Sequence, residues 1–259
     1  MQDLKVTIIQ SDLVWENPEK NLQNFSSQID AIKEQTDLII LPEMFATGFT
    51  MNAQKLAEEN DGRTVQWMKS KATEKNADLI GSVIIKEDSG FYNRLFWVKS
   101  DGNVLKYDKR HLFRMADEHK IYKAGSTKLI ADVKGWNVCP LICYDLRFPV
   151  WSRGESLNFD LLIYIANWPE RRSSHWRLLL QARAIENQAY VAGVNRVGKD
   201  GLDINYRGDS AIIDPLGNII KQEAEQEFIH TENLSAKRLQ DYRKKFPVWM
   251  DSDSFKIKE

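Results

Sequence analysis

Short, nearly continuous apolar runs alternate along the chain with longer stretches in which apolar residues recur every three to four positions. The runs Leu4–Gln10, Asp37–Leu41, Leu79–Lys86, Tyr92–Ser100, Trp136–Cys143, Asp160–Ala166, Tyr190–Asn195 and Tyr206–Ile213 read as strands. Helical periodicity covers Asn17–Glu34, Thr64–Asn76, Arg172–Asn187 and Ser235–Lys244. Asn17 is suited to cap the first helix and Pro18 to occupy its first position. In the third helix Trp176, Leu179, Leu180 and Ala184 form a stripe that reads as core packing. A turn at Asp101-Gly102-Asn103 leads into a strand at Val104–Tyr107, and Asp214–Gly217 turns into a short strand at Asn218–Lys221.

The pattern Asp-Leu-(Ile/Leu)-Ile, or a close variant, recurs at Asp37, Asp78 and Asp160, each time after a helical stretch. Sustained alternation of helix and strand predicts an α/β protein of stacked layers. The charged stretch Asp108–Gly125 reads as a long loop, and loops of that length are often functional. No linker rich in Gly, Ser or Pro interrupts the 259 residues, so one domain over 1–259 is expected. The tail 246–259 carries Phe246 and Trp249, aromatic residues fit to pack on a partner subunit.

A hydrophobic content of 42% suffices for a core, and a net charge of −1 gives no footprint for nucleic acid. Two cysteines build no disulfide framework, which fits a reducing cytoplasm. The opening residues Met1-Gln-Asp-Leu-Lys5 do not read as a signal peptide, and no apolar run reaches the ~20 residues that span a bilayer. A cytoplasmic protein bound neither to membrane nor to nucleic acid is expected.

The stretch Trp136–Trp151 holds the most informative change of pattern. It is apolar up to Cys143 and abruptly polar at Tyr144, Asp145 and Arg147, with a helix expected beyond Pro149. That context would deliver one thiol to the carboxyl end of a buried strand, beside free backbone N–H groups that favour a thiolate. A buried structural cysteine is the commoner meaning of a lone Cys, and Cys139, inside the run, is read that way. Pro140 predicts a bulge or an unpaired position in this strand.

Two further residues stand in comparable places. Glu43 follows a buried strand and a proline, where an acid usually serves a loop but can act as a general base on a rigid element. In the basic run Lys106–Arg114, Lys109 precedes Leu112 and Phe113, which could anchor the loop and turn the ammonium inward to steady an oxyanion. His111, His119, His175 and His230 show no zinc spacing, and no nucleotide-binding glycine motif or serine elbow occurs, so neither metal nor cofactor is expected.

Leu41-Pro-Glu-Met44, Tyr107-Asp-Lys-Arg-His-Leu112 and Cys143-Tyr-Asp-Leu-Arg-Phe-Pro149 together resemble the three signature segments of the nitrilase (carbon–nitrogen hydrolase) superfamily. Ala166-Asn-Trp-Pro169, His175-Trp176 and Ala182–Asn187 resemble its omega-amidase branch. The resemblance implies a four-layer αββα sandwich, often dimeric, acting on a small-molecule amide such as 2-oxoglutaramate or succinamate. It implies Glu43 as general base, Lys109 as oxyanion-stabilising cation and Cys143 as nucleophile, with the Tyr144 N–H as a second oxyanion donor. It also implies a second acid after the lysine. Asp117 and Glu118 both stand there, and Glu118 is taken on residue type. Phe45 and Trp168 would wall the pocket, and Arg172 or Arg171 would meet a substrate carboxylate. Arg147 could instead lock the cysteine turn through Asp145 or a nearby acid. A nitrilase, an N-carbamoyl amidase or a non-catalytic binder on the same fold are the alternatives.

Overall fold

The computed structural model describes residues 1–154 and 157–257. Elements of the first half are β1 (Leu4–Gln10), α1 (Pro18–Asp30), β2 (Leu38–Ile40), α2 (Ala53–Leu56), α3 (Arg63–Lys75), β3 (Asp78–Glu87), β4 (Gly90–Val98), β5 (Val104–Asp108) and α4 (Glu118–Ile121). There follow β6 (Ala131–Val133), β7 (Trp136–Ile142), α5 (Pro149–Ser152), β8 (Leu161–Ile165), α6 (Ser173–Asn187), β9 (Tyr190–Val194) and β10 (Val197–Lys199). The chain ends with β11 (Asn205–Ile213), β12 (Ile219–Ala224), β13 (Phe228–Leu234) and α7 (Ala236–Lys245).

Among the described residues the strands form two mixed sheets, one of six strands in the order β13-β1-β2-β3-β4-β5 and one of seven, β10-β11-β9-β8-β7-β6, with β12 beside β11. The centre of each is parallel: β1, β2 and β3 in the first, β7, β8 and β9 in the second. Strand pleating sorts the core into layers, since successive side chains point to opposite faces. Val6, Ile8, Leu38, Ile40 and Ile80 share a cluster with Val138, Leu141 and Ile163 of the other sheet. Their neighbours Ile9, Ile39 and Leu79 point the other way, into a cluster with Leu22, Phe25 and Ile29 of α1 and Val65, Met68 and Ala72 of α3. Trp176, Leu180 and Ala184 of α6 are buried against the second sheet. The result is four layers, helix–sheet–sheet–helix.

Several sequence expectations change here. Asn17 does cap α1, accepting from the Lys20 N–H at 3.1 Å, but the helix ends at Asp30. Strand β13 was not expected. Its sequence, FIHTENL, is polar and half-exposed, and it is a strand because it pairs antiparallel with β1 from the far end of the chain. Pro140 produces no bulge, for β7 stays in register with β8 from Val138 to Ile142, but it does meet the other expectation, an unpaired position. On the other side β6 reaches only Val138, so Pro140 lies beyond that strand's pairing, where its missing N–H is tolerated. Among the described residues no helix is long and apolar enough to cross a membrane.

Candidate active site

The carboxyl ends of β2, β5, β7 and β8 deliver Glu43, Lys109, Cys143 and Asn167 to one cavity of about 460 Å³. Ligands bind outside the carboxyl ends of strands in open α/β sheets because the strand ends and the loops beyond them leave a crevice there. Around the four polar groups the walls are largely apolar, with Trp15, Phe49, Phe113, Trp168 and Tyr206.

Glu43 and Lys109 are fully buried. Lys109 Nζ donates to Glu43 Oε1 at 2.8 Å and to both Glu118 oxygens at 3.0 Å. Glu43 Oε1 also accepts from Asn93 Nδ2 at 2.8 Å, and Oε2 from the Asn167 N–H at 2.9 Å. Glu118 Oε2 takes the Phe113 N–H at 2.5 Å, which ties the lysine to the loop over the cavity. Burial opposes the ammonium, but the coulombic pull of Glu118 and Glu43 outweighs it, so the Lys109 pKa lies well above its ordinary value. Burial pushes the Glu118 carboxyl up, with Glu43 adding to the rise and Lys109 opposing it.

Of the two acids after the lysine, only Glu118 enters the site. Asp117 is exposed and pairs with Lys120 at 3.1 Å. It adopts a left-handed backbone (φ 56°) that starts α4 and swings the next side chain inward.

Cys143 is half-buried on the cavity wall and opens a 3-10 turn, Cys143–Arg147. The expected helix beyond Pro149 is only the four-residue α5, so it supplies little dipole to the sulfur. Desolvation and the adjacent Glu43 carboxylate push the thiol pKa well up, with Lys109 opposing. Tyr144, next along, has its N–H in the first turn, where intrahelical acceptors are missing. Two buried or half-buried non-glycine residues here are left-handed, Met44 (φ 44°) directly after Glu43 and Cys143 itself (φ 43°). Such conformations collect at functional sites, where the surrounding structure over-determines them.

Phe45 does not line the cavity. It is fully buried in the outer layer, edge-on to Phe25 at 5.5 Å and against Trp67 at 5.7 Å. The left-handed Met44 turns the chain so that Phe45 packs over Gly81, whose absent Cβ would stand 2.7 Å from its ring. Phe49 takes the wall position instead and stacks under Lys109 Nζ at 5.0 Å. Trp168 and Arg172 do line the cavity, as do Arg171 and Arg147. Arg172 lies over the Phe113 ring at 5.2 Å and Arg147 over Trp168 at 4.8 Å. Arg147 does not lock Asp145. It donates to His175 Nδ1 at 3.0 Å, while Asp145 has other partners. Asn93 and Asn167 were not assigned site roles from the sequence: Asn93 is a lone amide within a strand, and Asn167 stood only as part of the Ala166-Asn-Trp-Pro169 segment.

Residues 5–244 match the carbon-nitrogen hydrolase family model. The chain belongs to the carbon–nitrogen hydrolase family. It is 50% identical over 258 residues to Omega-amidase YafV of Escherichia coli (strain K12), covering 99% of this chain and 100% of that one. The 2-oxoglutaramate amidase of Bacillus subtilis (strain 168) is 34% identical, over 95% and 96% of the two chains. Among solved structures, a CN-hydrolase superfamily protein from Xanthomonas campestris with an arsenic adduct in its active site superposes with a TM-score of 0.98. It is 43% identical and covers both chains completely. The two-sheet, helix-flanked architecture is thus that of the family.

Proposed function

We propose that this carbon–nitrogen hydrolase is an omega-amidase, releasing ammonia from the terminal carboxamide of small dicarboxylate monoamides such as 2-oxoglutaramate or succinamate. The observation that carries it is the pairing of two features in one cavity. A carboxylate, an ammonium and a thiol meet there, and the wall beside them bears Arg147, Arg171 and Arg172, none ion-paired among the described residues. Burial lowers the Arg172 pKa, and the neighbouring Arg171 and Arg147 guanidiniums lower it further. A carboxylate on the substrate would pair with these cations by charge-assisted hydrogen bonds. The omega-amidase and 2-oxoglutaramate amidase relatives support the same substrate class.

In this reading Glu43 takes the Cys143 thiol proton as sulfur attacks the amide carbon. Lys109 and the Tyr144 N–H hold the resulting oxyanion, a preorganised donor being worth about 3–4 kcal/mol in comparable sites. The C–N bond breaks as Glu43 passes its proton to the departing ammonia, leaving a thioester. Water then gives a proton to Glu43 and its oxygen to the acyl carbon; the C–S bond breaks and sulfur recovers that proton. The sum is amide plus water to acid plus ammonia, with no cofactor in any step. Glu118 and Asn93 hold Lys109 and Glu43 in place throughout. A homodimer belongs to the same reading, supported by Phe246 and Met250, exposed at 53% and 68% in the tail.

The test is ammonia release from 2-oxoglutaramate, succinamate, an aliphatic nitrile and an N-carbamoyl amino acid under one set of conditions. Turnover of the first two above the others is expected. Turnover of the nitrile or the carbamoyl compound alone would reassign the enzyme within its family.

A further inference from the structure

Asp145, two residues after Cys143, is fully buried and is not among the residues lining the cavity. Its carboxylate accepts four hydrogen bonds, two on each oxygen. Oδ1 takes the His111 N–H at 3.0 Å and faces His111 Nδ1 at 2.7 Å. Oδ2 takes the Tyr107 hydroxyl at 2.7 Å and the Ile142 N–H at 3.0 Å. A carboxylate only accepts, so the His111 proton is on Nδ1. The donors are not scattered. Tyr107 and His111 stand two residues before and after Lys109, and Ile142 immediately precedes Cys143. The far side of the clamp is packed: His111 stacks on Phe148 at 3.8 Å and 7°, and Trp151 Nε1 donates to the Tyr107 oxygen at 3.0 Å.

We propose that Asp145 is a positioning residue that sets the distance and angle between Lys109 and Cys143, using Tyr107 and His111 on one segment and the Ile142 N–H on the other. The cation and the sulfur come from strands of different sheets, β5 and β7, and no ladder hydrogen bond joins them. One side chain with all its acceptor positions filled from both segments supplies that missing link. The bond to Ile142 also holds the residue before Cys143, whose left-handed backbone (φ 43°) needs its surroundings fixed.

Asp145→Asn is the informative change because it keeps shape and volume. Tyr107 and His111 could each adapt by turning a hydroxyl or moving a ring proton. The two backbone N–H groups cannot, and with one oxygen replaced by NH2 at least one of them loses its acceptor. Two measurements are made on the full chain: kcat and KM for the monoamide, and the rate of Cys143 alkylation by iodoacetamide. The first rests on the amidase reading, the second does not, so failure of that reading leaves the proposal testable. A fall of about a hundredfold in kcat is expected, the scale of an ångström's misplacement, with KM within threefold and alkylation slowed in parallel. Wild-type kcat and alkylation, or a loss confined to KM, would overturn the proposal whatever happens to thermal stability. Should Asp145→Asn fail to fold, Tyr107→Phe removes a single donor. It is expected to lower kcat and alkylation about tenfold, the worth of one buried hydrogen bond, and unchanged values would overturn the proposal equally.

Discussion

Lys109 Nζ stands 2.8 Å from Glu43 Oε1, and neither side chain is exposed to solvent at all. Glu118 completes the group at 3.0 Å, so one ammonium serves two buried carboxylates. The arrangement has a consequence for the neighbouring sulfur. Burial and the neighbouring Glu43 carboxylate push the Cys143 thiol pKa up, with Lys109 opposing them.

Removing the ammonium should therefore cost stability as well as turnover. Lys109→Met leaves Glu43 and Glu118 buried without a counter-ion, and breaking a buried pair in this way costs about 3–5 kcal/mol. Urea unfolding measures it. Adding Glu118→Gln to the variant should restore part of the loss while the protein stays inactive.

The two cysteines should differ sharply in chemistry. Cys139 is fully buried, and burial pushes its thiol up to about 12. Iodoacetamide should label Cys143 first, read by peptide mass spectrometry, and Cys143→Ala should fold normally without turnover. Because the Cys143 pKa is also raised, its alkylation should accelerate steadily through pH 9 and show no plateau near neutrality.

The arginines should govern selectivity between charged and neutral amides. Losing a hydrogen bond to a charged group costs about 1.5–3 kcal/mol, or roughly ten- to a hundredfold. Arg147→Ala and Arg172→Ala should each lower kcat/KM for succinamate by such a factor and leave that for butyramide nearly unchanged.

Phe45 separates core from wall. Phe45→Ala should destabilise by about 3–5 kcal/mol in thermal or urea unfolding, as expected for a deleted core ring. KM should stay near the wild-type value at a temperature where the variant is folded. Phe49→Ala should do the reverse.

Part of the acid sensitivity should be traceable to the β3–β4 hairpin. The Arg94 guanidinium and Asn60 hold the Glu87 carboxyl at about 2, below its ordinary 4.5. A depressed folded pKa means stability present above pH 4.5 and lost as pH falls toward 2, because the unfolded chain binds the proton first. Glu87→Gln should make a plot of unfolding free energy against pH shallower over that range.

Much of this was legible before any coordinates, for reasons that are physical. Strands such as β2 and β8 are apolar on both faces because each lies inside a sheet covered on both sides, and continuous apolar runs announce that. Glu43 and Cys143 could be singled out because each follows such a strand, and Lys109 because Leu112 and Phe113 come just after it. What stayed hidden depends on distant partners or on backbone turns. β13 is a strand only through β1, and Phe45 faces outward only because Met44 is left-handed. Asn93 looked like an interruption within β4, since nothing local says that Glu43 lies opposite its amide.

Met44 and Cys143 keep side chains in a conformation that glycine would adopt freely, and a β-carbon there costs the folded state of order 1–3 kcal/mol. Heat tolerance and turnover thus pull in opposite directions at position 143. Screening a library for endurance alone would enrich glycine in place of the sulfur, and only a selection that also demands product would keep it.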